Sequence, residues 1–89
     1  MQSTKFPLPY SVSKKQLVAM YLVSGVPYKV IIDEATETMI KNRANKTEKE
    51  VKNAKCLFRS EFLQLIKLFG MPKNFTDTEI EEKIKNNTL

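Results

Sequence analysis

Seven basic side chains, Lys41, Arg43, Lys46, Lys49, Lys52, Lys55 and Arg59, stand in one stretch of this chain against only Glu48 and Glu50. They recur every two to four residues. If residues 47–55 are helical, Lys49 and Lys52 share one side with Lys46 or Lys55, a spacing that can track a phosphate backbone. Asn42, Asn45 and Asn53 add hydrogen-bonding capacity. No aromatic residue interleaves the run before Phe58, so stacking on single-stranded bases is not suggested. The plainer reading of any one of these lysines is a solvated surface.

The chemistry of catalysis has little to work with. Histidine is absent, which removes the commonest general base and the commonest transition-metal ligand. Gly25 and Gly70 are the only glycines, so there is no glycine-rich phosphate loop. Asp33, Glu34 and Glu37 form the one internal acidic cluster, read as a solvated helix face. Cys56 is the single cysteine, excludes a disulfide framework, and is expected to be half-buried and structural. No catalytic residue, metal ligand or cofactor is expected, and the chain is read as a non-enzyme.

Size and charge bound the remaining choices. The 89 residues suffice for one domain. A 42% apolar fraction is that of a folded globular protein. The net charge of +5 is concentrated in the middle of the chain, which can steer it toward a polyanion. No signal peptide and no apolar run of membrane-spanning length is visible, and a cytoplasmic location is expected.

The elements that must position these residues read as helices. Residues 1–11 carry Pro7 and Pro9 and are expected as an extended lead-in. Ser13 and Gln16 have capping-box spacing, with Val12 and Leu17 as a hydrophobic staple, so a helix starts there. Gly25 ends it and Pro27 opens a second helix. In that helix Tyr28, Ile31, Ile32, Ala35 and Met39 are expected to face the core, and an end is expected near 43–45. Thr47 and Glu50 cap a short third helix. Ser60 is expected to cap a central apolar helix that Gly70 and Pro72 end. Thr76 and Glu79 are expected to cap a last helix around Ile80 and Ile84, and residues 87–89 to fray.

Val18-Ala19, Gly25-Val26 and Pro27-Tyr28-Lys29 together resemble the helix-turn-helix of bacterial regulators, in which the alanine packs where the helices cross and the glycine makes the turn. Lys14-Lys15-Gln16-Leu17-Val18-Ala19-Met20-Tyr21 and Arg59-Ser60-Glu61-Phe62-Leu63-Gln64-Leu65-Ile66-Lys67-Leu68-Phe69-Gly70-Met71-Pro72 are similar to the opening and closing segments of a group of small bacterial proteins with a helix-turn-helix or excisionase-like pattern. Here the interval from Ala19 to Gly25 is two residues longer than in the standard motif. The resemblance implies DNA contact from the head of the second helix, at Ser24, Tyr28 and Lys29.

The expected fold is therefore all-α, a compact four- to five-helix domain over 12–86 of helix-turn-helix-like character. The expected function is nucleic-acid binding or regulation through phosphate contacts from Ser24, Tyr28, Lys29, Lys41, Arg43, Lys46, Lys49, Lys52, Lys55 and Arg59, with DNA as partner. The alternative is a protein-interaction module or homodimer, for which Val23, Val26, Leu57, Phe58 and Met71 are the candidate surface.

Overall fold

A computed structural model describes residues 6–88. The first five residues of the lead-in expected over 1–11, and the end of the tail, Leu89, lie outside the described residues. Five helices occur among the described residues: α1 (Lys14–Val23), α2 (Tyr28–Asn42), α3 (Glu48–Asn53), α4 (Arg59–Phe69) and α5 (Thr78–Lys85). The mostly helical expectation holds, with one addition. Strands β1 (Phe6–Pro7) and β2 (Phe75–Thr76) pair in parallel, through Phe6 N–H to the Asn74 carbonyl (2.8 Å) and Leu8 N–H to the Thr76 carbonyl (3.0 Å). Pro7 has no N–H to offer and sits between these two donors.

Helix α1 follows its local code closely. The Ser13 hydroxyl accepts from Gln16 N–H and the Gln16 side chain accepts from Ser13 N–H, at 3.1 and 2.9 Å. At the other end, Val26 N–H reaches the Tyr21 carbonyl and Gly25 N–H the Leu22 carbonyl, which is a Schellman closure. Gly25 provides the left-handed residue this closure needs, at φ +94°. Gly25→Ala meets no steric obstacle, so its cost is conformational, about 1–2 kcal/mol. A urea titration should show that loss as a lower midpoint with an unchanged slope.

The core gathers one face of each helix. Leu17 and Tyr21 of α1, Ile31, Ala35 and Met39 of α2, Val51 of α3, Phe62, Leu65 and Ile66 of α4, and Ile80 of α5 are buried. Helix α2 packs against α1, α3 and α4 and so forms the spine. Tyr21 is buried yet polar at its tip, and its hydroxyl donates to the Gly70 carbonyl at the end of α4 (2.7 Å). Burial pushes its proton affinity up.

Several local expectations are corrected. Tyr28 does not face the core: the Schellman turn delivers it to the outside at the start of α2, where it is 60% exposed. Ser60 does not cap α4. The N-cap is Phe58, and Glu61 accepts its backbone N–H at 2.7 Å. Asp77 rather than Thr76 caps α5, accepting from Ile80 N–H. The tail at Asn87 and Thr88 is hydrogen-bonded, to the carbonyls of Ile84 and Lys83.

Candidate functional site

Residues 54–58 run extended and hold the site together; of these, Cys56-Leu57-Phe58 are too few to classify from sequence, and Ala54, expected in the third helix, lies just past its end. Ser13 and Cys56 form an isolated antiparallel bridge. Lys14 N–H donates to the Lys55 carbonyl (2.8 Å) and Leu57 N–H to the Val12 carbonyl (2.9 Å). Val12 and Leu57 are both buried, so the bridge is anchored on apolar packing. Its consequence is electrostatic. It brings the Lys14-Lys15 pair at the head of α1 against Lys52 and Lys55 at the tail of α3.

These four lysines line one open groove of about 500 Å³ with Ser13, Asn53, Ala54 and Cys56. Lys14 is its pivot. Its ammonium donates to the carbonyls of Val51 and Lys52, both at 3.1 Å, and so caps the negative end of α3. Burial, and then the charge of Arg43, lower its proton affinity. Lys15 and Lys55 are exposed and form no ion pair among the described residues. Lys52 pairs with Glu48 at 3.1 Å on an exposed helix face, a bond worth only about 0.3–0.5 kcal/mol, so an anion can recruit it cheaply.

The placement of lysines at the head of α1 runs against helix electrostatics. The N-terminal end of a helix favours acids. Helices α3 and α5 obey, with Glu48 and Glu50, and Glu79 and Glu81, in their first turns. Helix α1 has no acid in its first turn and carries Lys14 and Lys15 there instead. At the α1 side of the groove the lysine charge and the helix dipole therefore add, while at the α3 side the Lys14 ammonium offsets the negative helix end.

Two recesses adjoin the groove through Lys14. One, of about 580 Å³, runs between α2 and α3 and is lined by Asp33, Glu37 and Glu48 with Lys14 and Lys52, over Ile32 and Ile40. Its carboxylates repel phosphate. The other, of about 340 Å³, is lined by Lys14, Lys15, Val18, Tyr28 and Ile32. This second recess has no carboxylate in its lining.

Of the residues singled out by sequence, Lys52, Lys55 and Tyr28 are brought to this surface and the others are not. The Ser24 hydroxyl is occupied: it accepts from Lys73 N–H (2.7 Å) and donates to the Met20 carbonyl. Arg43 is turned inward. Its guanidinium makes two hydrogen bonds to the fully buried Glu61, at 2.9 and 2.8 Å, donates to the Cys56 carbonyl, and lies 3.9 Å over the Phe58 ring. Arg59 binds the lead-in, donating to the Tyr10 carbonyl (2.8 Å) and stacking on the Tyr10 ring. Lys29, Lys41, Lys46 and Lys49 are exposed but outside the groove lining, and Lys41 and Lys46 pair with Glu37 and Glu50.

Sequence reasoning missed Lys14 and Lys15 as site residues. The signal was there: two adjacent cations directly after a capping serine, where acids are favoured. Cys56 is also corrected, because it is exposed at the groove rather than half-buried. Ala19 is exposed and lines a small apolar recess with Phe6, Met20, Val23 and Phe75, so it does not occupy the helix crossing that the regulator pattern implies. The candidate interaction surface is broken up as well. Leu57 is buried and Val26 and Met71 pack against the core, which leaves Val23 and Phe58 exposed. No helix among the described residues is long and apolar enough to cross a membrane. Compared with protein-family models, with curated proteins and with solved structures, the chain matches none.

Proposed function

We propose that this chain is a small nucleic-acid-binding protein of regulatory type, which contacts the phosphate backbone through the groove of Lys14, Lys15, Lys52 and Lys55. The observation that carries this reading is the convergence of four lysines on one groove at the head of α1 and the tail of α3, with no carboxylate in its lining. Phosphate contacts of this kind position a nucleic acid without reading its sequence. In this reading the α1–turn–α2 pair is a helix-turn-helix-like scaffold. Contact comes from the heads of both helices rather than along α2, whose outer face carries Asp33 and Glu37. The role is binding, not catalysis.

The test is a fluorescence-anisotropy titration of labelled DNA at two salt concentrations. Binding is expected to weaken with salt, with a slope of about 0.7–0.9 per phosphate neutralised, hence roughly 3–4 for four lysines. Cys56 provides a position marker, because a bound strand should slow its alkylation. No binding at low salt would sink the proposal. The alternative, a protein-interaction module or homodimer, draws on exposed Leu22, Val23 and Phe6, the last two lining the apolar recess of about 200 Å³. Concentration-dependent sedimentation would reveal self-association through that side.

A further inference from the structure

Tyr28 has no aromatic or basic neighbour in sequence except Lys29, yet the fold sets it beside Lys14 and Lys15. Its ring is 60% exposed at the first residue of α2, held outward by the Schellman turn before it. The recess it borders is lined by Val18 and Ile32 together with the side chains of Lys14 and Lys15. Apolar side chains, an exposed aromatic and neighbouring lysines are the parts that receive a nucleobase while neutralising its phosphate. The recess adjoins the lysine groove, since Lys14 and Lys15 line both. A strand with its phosphates in the groove therefore has a base at Tyr28.

In a duplex the bases are stacked and paired, and none can turn into such a recess without being extruded, which costs unstacking and unpairing energy. A single strand has no such cost. We propose that the nucleic acid this surface takes up is single-stranded, with one base stacked on Tyr28 and its flanking phosphates on Lys14, Lys15, Lys52 and Lys55; this rests on the nucleic-acid reading above. The absence of an aromatic within the basic run of the sequence is compensated in three dimensions, by a residue from another helix.

The experiment compares a labelled oligothymidylate with a labelled duplex of the same length, binding to the wild type, Tyr28→Ala, Tyr28→Phe and the Lys15→Glu/Lys55→Glu double variant. The single strand is expected to bind more tightly than the duplex. Tyr28→Ala should weaken single-strand binding by about fivefold to a hundredfold while leaving its salt slope unchanged. Tyr28→Phe should restore it, since the stacking face is kept, and duplex binding should not respond to either change. The lysine variant should weaken both. The stacking proposal is overturned if the duplex binds as tightly as the single strand, or if Tyr28→Ala leaves single-strand binding intact; the phosphate-binding reading then still stands. If neither nucleic acid binds the wild type, both are overturned together.

Discussion

Glu61→Ala is expected to cost about 3–5 kcal/mol, the penalty for removing one partner of a buried ion pair. Total stability for a chain of this length is about 4–13 kcal/mol, so the variant loses from about a quarter to all of its stability. The geometry explains the size. Glu61 is fully buried, and its carboxylate accepts from Arg43 through two hydrogen bonds, from the Asn42 side chain at 3.0 Å and from Phe58 N–H at 2.7 Å. Truncation strands all of these donors, and the Arg43 guanidinium has only a sliver of solvent access. Replacing both partners, Arg43→Met with Glu61→Met, should cost less than Glu61→Ala alone, because no charge is then left without a partner. Circular dichroism melts of the variants check the order.

The same pair sets the acid limit of the fold. Burial raises the Glu61 proton affinity, but the hydrogen bonds from Arg43, Phe58 N–H and Asn42, with the Arg43 charge, outweigh it and the net shift is downward. A carboxyl depressed in the folded state contributes stability that is fully present above its unfolded pKa, the ordinary glutamate range. That stability is lost as pH falls through the lower, folded value. Glu50 adds in the same direction, held down first by the Thr47 backbone N–H and then by the Thr47 hydroxyl. Urea midpoints should therefore be flat from neutral pH down to the glutamate range and fall below it, and Glu61→Gln should flatten that fall.

Lys15→Glu is expected to move binding and stability in opposite directions. An acid in the first turn of α1 meets the helix dipole favourably, so the domain gains about 0.3–1 kcal/mol. Lys15 has no ion-pair partner among the described residues whose loss would offset this. Combined with Lys55→Glu, the change removes two charged phosphate contacts and lowers nucleic-acid affinity by on the order of a hundredfold at low salt. The salt slope should shrink by about two. A thermal melt and an anisotropy titration on the same preparation separate this from damage to the fold. If Lys15→Glu lowered stability, the dipole account of the α1 head would be wrong. If the double variant bound normally, the groove would not be the binding surface.

How much of this was legible in the sequence depends on how far apart the cooperating residues lie. The cap of α1, its glycine stop and the cap of α3 each need residues within six positions, and each was readable from the order Ser13–Gln16, Tyr21–Val26 and Thr47–Glu50. The α4 start is not where the sequence offers a capping oxygen, on Ser60, which lies inside the helix. Phe58 has none, and only the reverse half of the motif, from Glu61, is present. Tyr28 was placed in the core because it fits the helical period of α2, and period alone does not tell the first residue after a tight turn that its inner side is already filled.

The sequence by itself determined the helices, most of the buried face of each, and a net positive charge in the middle of the chain, because these follow from neighbours along one turn. Only the tertiary structure decided which cations work together. Lys14 and the α3 carbonyl it caps are 37 positions apart, and they meet because the extended Cys56 segment pairs with Ser13 over buried Val12 and Leu57. The same packing took Arg43 out of the basic run and gave it to Glu61. Charge along a chain is set by residue order, whereas a charged surface is set by what the core leaves outside.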